Sequence, residues 1–133
     1  MVYVYPATIQ KEDDGRYSIW FEDLPGCATS GETLAEAIEM ARDAMGGWFD
    51  SALAHGDEID APRAVNEVPL EDGQVVTLVD MDLEAYRRNN DTRAVRKTLT
   101  IPAWLNTRAE KASINFSQVL QSALKEELGV TNR

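Results

Sequence analysis

VRKTLTIP (residues 95–102) alternates side chains with the period of a β-strand. Leu99 and Ile101 fall on one side, and Arg96, Thr98 and Thr100 fall on the other. Lys97 shares the Leu99 side by parity, but it stands at the start of the run. Pro102 ends the strand and pre-sets φ for the first turn of a helix. Beyond it Leu105, Ala109 and Ala112 recur on one helical face, and Ser113-Ile114-Asn115 interrupts them. A second stripe follows in Phe116, Val119, Leu120, Ala123, Leu124 and Leu128, with Gly129 as the stop. Residues 94–133 therefore read as β-α-α. A lone strand leaves its backbone groups unpaired, and so short a unit has too little core to stand alone. Pairing with the same strand of a second chain meets both needs, so the unit is expected to dimerise about a two-fold axis.

Upstream the pattern changes. VYVYPATIQK (2–11) is rich in aromatic and β-branched residues, as strands are. Asp13-Asp14-Gly15 supplies turn chemistry, and RYSIWFEDL (16–24) returns as the second arm of a hairpin. Pro25-Gly26 breaks that arm, and CATSG (27–31) is a short third strand. Thr33 and Glu36 form a capping box, and apolar residues from Leu34 to Ala52 recur at helical spacing. The helix is expected to run to about Leu53. Gly46-Gly47 within it implies either a close backbone contact or an earlier end, since each glycine costs roughly 1 kcal/mol against alanine. Residues 54–73 read as a loop, QVVTLVDM (74–81) as a fourth strand, and DLEAYRRNNDT (82–92) as a helical turn running into a polar linker. The fold class is α+β: a β-β-β-α-β domain over residues 1–88, a linker at 89–93, and the β-α-α domain over 94–133.

Charge separates the same two parts. The chain carries 13 Lys/Arg and 23 Asp/Glu for a net charge of -10. Residues 1–91 hold 6 of the bases and 20 of the acids (net -14), and residues 92–133 hold 7 and 3 (net +4). An acidic body suits a basic protein partner, and a basic tail suits nucleic acid. With 44% apolar residues the chain can form a packed core. No apolar run is long enough to span a membrane, and the start of the sequence has no secretory-signal pattern. One cysteine precludes an internal disulfide, so a cytoplasmic setting is expected.

The stretch RKTLTIPAWLNTRAEKASINFSQVLQSALKEELG resembles a ribbon-helix-helix DNA-binding domain of the Arc, MetJ and CopG kind. The resemblance implies a two-stranded ribbon in the DNA major groove, with Arg96, Thr98 and Thr100 at base edges. Arginine can donate two bonds to guanine, and threonine offers a hydroxyl and a methyl. Asn115 and Ser117 would open the second helix toward a phosphate, with Lys97 as a flanking contact. Pro102 departs from members that keep a further polar strand residue there, which removes one contact per strand. The strand could instead serve only to complete a dimer, its threonines favouring β structure.

The first domain resembles the HicB antitoxin fold, a partial ribonuclease-H-like unit. The motifs are the first strand, the Asp13-Asp14-Gly15 turn with Tyr17, the FEDLPGC run (21–27) and the GETLAEA helix start (31–37). The resemblance implies a small basic ribonuclease toxin of the HicA kind as partner, and self-repression through palindromic operator DNA. It also implies a homodimer through the C-terminal domain, with assembly into a higher oligomer left open. Asp13, Asp14, Glu22 and Asp23 are the candidate acidic contacts, and Tyr17 or Trp20 the candidate aromatic anchor. Trp20, next to Ile19, fits a core position equally well. The other readings are a ribbon-helix-helix regulator whose acidic domain senses a small ligand or acts alone, and a binding module without a DNA role.

Catalysis is not expected. Ribonuclease-H-like chemistry needs carboxylates converging on metal ions, and no spacing here marks such a cluster. One histidine and one cysteine far apart make a poor metal site, so neither a metal nor another cofactor is expected. Cys27 reads as a small apolar residue, and His55 as a helix-end residue.

Overall fold

The computed structural model describes residues 1–130; the last three positions of the 94–133 region lie outside the described residues. The chain divides into two compact units, the first Met1–Asp91 and the second from Thr92 onward.

In the first unit β1 (Val2–Lys11) and β2 (Tyr17–Trp20) form the expected hairpin, joined through Gly15 at φ +88°. β3 (Ala28–Gly31) pairs with β2, and β4 (Gln74–Asp82) runs antiparallel along β1. The sheet order is β3-β2-β1-β4. β2 is shorter than the expected 16–24. Leu24 N–H bonds to Phe21 O and Cys27 N–H to Leu24 O, so Phe21–Cys27 is folded into successive turns.

Helix α1 (Leu34–His55) crosses one face of the sheet. Thr33 Oγ1 accepts from Glu36 N–H at its start, and Gly56 ends it at φ +69°. Tyr5, Ala7 and Ile9 of β1, Ile19 of β2 and Val79 and Met81 of β4 pack against Ala37, Ala41, Met45 and Phe49 of α1. Small residues on the helix let it sit close. A Cβ on Gly31 would strike the backbone of Ala37. Phe49 is the aromatic centre: Tyr3 stacks on it at 4.2 Å, and Trp48 meets it edge-on at 5.3 Å.

The glycine pair is a contact, since α1 runs through it to His55. Helix α2 (Leu83–Asn89) lays Tyr86 on Gly46, where an added Cβ would fall inside the ring. At Gly47 the same atom would meet the tip of the ring, Tyr86 Oη at 3.2 Å and Cζ at 4.0 Å. Replacing a helical glycine with alanine ordinarily stabilises. Here Gly46→Ala should do the reverse, by about 1–3 kcal/mol, while Gly47→Ala stays nearer neutral. Urea melts of the two variants would separate them; equal stabilisation by both would overturn the Tyr86 contact.

The 54–73 connection contains a 3-10 turn (Val65–Glu67) and is tied down at two points. Tyr5 Oη donates to Asp60 O, and Asp23 receives both Arg63 N–H (3.1 Å) and Arg63 Nε (2.8 Å). Cys27 is buried, and desolvation pushes its thiol up to about 11. At pH 8 roughly one molecule in a thousand would carry the thiolate. Thiol reagents should therefore label Cys27 slowly until denaturant is added; fast labelling of the folded chain would contradict its burial.

The second unit contains α3 (Ala103–Lys111) and α4 (Phe116–Leu128). Between them Ser113 adopts φ +56°, which lets Ser113 N–H reach Glu110 O and Ile114 N–H reach Ala109 O.

Candidate functional site

The expected strand at 95–101 is absent from the single chain: residues 91–102 carry no regular secondary structure. A strand exists through its ladder, and the second unit contains no other strand among the described residues. Val95 and Leu99 are accordingly 81% and 62% exposed. No described residue from Thr92 onward is buried. The apolar residues of the unit nevertheless converge. Leu99, Ile101, Leu105, Ala109, Phe116 and Leu120 line one open groove of about 630 Å³. Lys97 lines it as well, so its stem lies on the apolar side and not beside Arg96, Thr98 and Thr100, which stay outside the groove.

At the start of α4, Asn115 Oδ1 accepts from Gln118 N–H at 3.1 Å, so this side chain is committed as a cap. Val119 N–H already bonds to Asn115 O. The N–H groups of Phe116 and Ser117 are left at the helix mouth, where a phosphate oxygen could accept them. On α3 the Arg108 guanidinium lies 5.5 Å from the ring of exposed Trp104.

The acidic candidates of the first unit do not form one surface. Asp13 and Asp14 are exposed at the hairpin turn, and Asp14 accepts from Arg16 N–H. Tyr17 and Trp20 are half-buried and, three residues apart on one strand, point to opposite faces of the sheet. Tyr17 packs toward the α1 side, with Lys11 Nζ 6.0 Å from its ring. Trp20 Nε1 donates to exposed Glu22 on the other side. Asp23 corrects the sequence expectation. It is only 6% exposed and holds Arg63, which makes it a strut for the loop and not a free surface carboxylate. The signal for this was Arg63 itself, but no sequence pattern links two residues 40 positions apart.

A cleft of about 380 Å³ in the same unit is lined by Asp23, Pro25, Trp48, Asp57, Glu58 and Asp60 among others. Two of its polar groups are already committed: Asp23 to Arg63, and Trp48 Nε1 to Pro25 O at 2.9 Å. Among the described residues no group of three or more His, Cys, Asp or Glu side chains is placed to hold a metal. No described helix is long and apolar enough to cross a membrane. His55 Nδ1 lies 2.7 Å from Ser51 O and stays at the helix end.

Residues 5–124 match the family described as HicB_like antitoxin of bacterial toxin-antitoxin system. The chain belongs to the HicB-like antitoxin family. Antitoxin HicB of Escherichia coli K12 is 36% identical over 87 residues, which cover 61% of this chain and 63% of that protein. This chain thus aligns with less than two thirds of that relative's length. Among solved structures, a toxin-antitoxin complex from Streptococcus pneumoniae aligns with 96% of this chain and 99% of its own (26% identity, TM-score 0.60). The N-terminal domain of Burkholderia pseudomallei antitoxin HicB aligns over its whole length with 61% of this chain (28% identity, TM-score 0.53). The family match spans both units, and the mixed α/β body with its antiparallel sheet accords with the HicB N-terminal domain.

Proposed function

We propose that this protein is the antitoxin of a type II pair: its acidic body masks a small basic HicA-like ribonuclease, and its tail dimerises and represses its own operon. The observation that carries the reading is the incompleteness of the second unit. Its apolar side chains line an open groove, none of its described residues is buried, and its strand-patterned segment has no strand partner among the described residues. A second copy supplies both missing halves: the strands pair as an antiparallel ribbon, and the two grooves close into one core. Arg96, Thr98 and Thr100 then face outward together, and the free N–H groups at the start of α4 flank them.

The ribbon is the base-reading element of this proposal, and the body is its protein-binding element. The net charge of -14 over residues 1–91 favours a basic partner, since an acidic surface speeds encounter and competes with the RNA such a partner binds. The family, and the toxin-antitoxin assembly of the Streptococcus pneumoniae relative, support the same assignment.

Arg96→Ala should weaken operator binding by about 1–3 kcal/mol for each copy that reads a guanine, and leave the dimer intact. Gel-shift titration paired with sedimentation measures the two separately; unchanged DNA affinity would remove Arg96 from the interface. Wild-type affinity should also fall steeply with added salt, because phosphate contacts release counterions. A flat salt response would favour a protein-binding module without a DNA role.

A further inference from the structure

The sheet of the first unit has two edges of different kinds. β3 is four residues long, and its last residue, Gly31, is pressed against the backbone of Ala37. β4 is nine residues long and pairs along that whole length with β1 on one side only.

Backbone direction along β4 follows from three contacts. Leu83 N–H donates to Met1 O at 3.1 Å, which turns the odd-numbered residues toward β1. Pro6, which has no N–H, stands opposite Leu78. Arg42 Nε reaches Asp80 O from outside the ladder at 2.9 Å. In an antiparallel pair the alternate residues point both backbone groups away from the neighbour. Gln74, Val76, Leu78 and Asp80 are therefore the outward set.

The two ends of this set are closed. Gln74 N–H bonds to Glu71 O. At Asp80 the carbonyl and carboxylate are both held by Arg42. The middle is open. Among the described residues nothing accepts from Val76 N–H or Leu78 N–H, and Leu78 O receives only a 3.5 Å contact from Thr77 Oγ1. The 3-10 turn packs near β4 without hydrogen-bonding to Val76 or Leu78. Val75 and Leu78 are 57% and 58% exposed. Proline, lysine or a bulge commonly blunts such an edge, and β4 has no proline or lysine.

We propose that the Val76–Leu78 edge of β4 takes up an extended segment of the basic partner protein, which adds a fifth strand to the sheet. Charge selects this occupant over a second copy. Two bodies of net charge -14 repel, whereas a basic strand is attracted. Exposed Glu71 and Asp72 stand at the entry to the edge, in no ion pair among the described residues, and can receive its cations. Strand addition uses main-chain bonds for affinity and alternate side chains for specificity, with Leu78 and Val76 providing the apolar contact on one face. The inference rests on the antitoxin reading, because that reading supplies the basic partner.

The test is amide hydrogen exchange by NMR on the full chain, alone and with its co-expressed basic toxin. The Val76 and Leu78 amides should slow by about tenfold or more in the complex, while Val75, Thr77 and Val79 are protected in both states. Val76→Pro removes an outward donor without touching the β1 ladder, and should weaken toxin binding by about tenfold or more with the melting temperature little changed. If that variant fails to fold, the exchange data on the natural chain decide. A bound toxin that leaves both amides as fast as in the free chain overturns strand addition and leaves the antitoxin reading intact. Protection that appears in the chain alone on concentration assigns the edge to a second copy and also overturns it. A chain that binds no basic toxin at all overturns the antitoxin reading itself.

Discussion

A chain ended at Asp91 should fold, melt cooperatively and bind no operator DNA. Among the described residues every buried apolar side chain lies between Tyr5 and Leu83, and the four-stranded sheet, α1 and α2 are complete before Asp91. The cut falls beyond Asn90, the cap of α2, so every strand and helix of the body is kept whole. What is removed is the segment with Arg96, Thr98 and Thr100, together with both helices of the groove. DNA binding should be lost outright and not merely weakened, because dimer contacts and base contacts leave together. The fragment should still bind the toxin and protect RNA from it. Circular dichroism, gel shift and an RNA-cleavage assay on one preparation test all three; a folded fragment that fails to protect RNA would sink the division of labour.

Phe49→Ala should cost about 3–5 kcal/mol and leave the full chain partly unfolded at physiological temperature. Phe49 is fully buried, stacked on Tyr3 at 4.2 Å and set against Tyr5 and Trp48. Truncation leaves a cavity between α1 and β1 that three rigid rings cannot collapse to fill. Toxin binding should fall in step with the folded fraction, while a tail that dimerises by itself should keep its affinity for DNA. Urea denaturation followed by tryptophan fluorescence measures the loss, since Trp48 reports from beside the cavity. A loss under about 1 kcal/mol would mean that the aromatic cluster contributes little to the core.

Much of the body could be read from local chemistry. The Asp-Asp-Gly turn, the Thr33 cap and the period-two and helical stripes each involve residues within a few positions of one another, and the hairpin and α1 lie where they place them. Strand ends were read less well. RYSIWFEDL looks continuous, but β2 stops at Trp20, where Phe21–Cys27 folds into successive turns. The tie from Asp23 in those turns to Arg63 spans 40 positions, and no periodicity reports it. The same applies to Gly46: its sequence announced a close contact or a helix end, and only the position of Tyr86 chose between them. The fold distributes the toxin-facing candidates for a related reason. Tyr17 and Trp20 are neighbours in sequence and opposites across the sheet, while the open edge of β4 bears no charge signature at Val76 or Leu78 and was not singled out.

From sequence alone came the two-part division of charge, the α+β elements of the body and the alternation within VRKTLTIP. These depend on side-chain type and short spacing, which the chain carries wherever it goes. Tertiary structure decided which carboxylates are struts and which are surface, which glycine is a contact, and which sheet edge is left open. It also showed that the 95–101 segment is no strand in one chain, because a ladder is a property of two segments and the described chain offers only one of them.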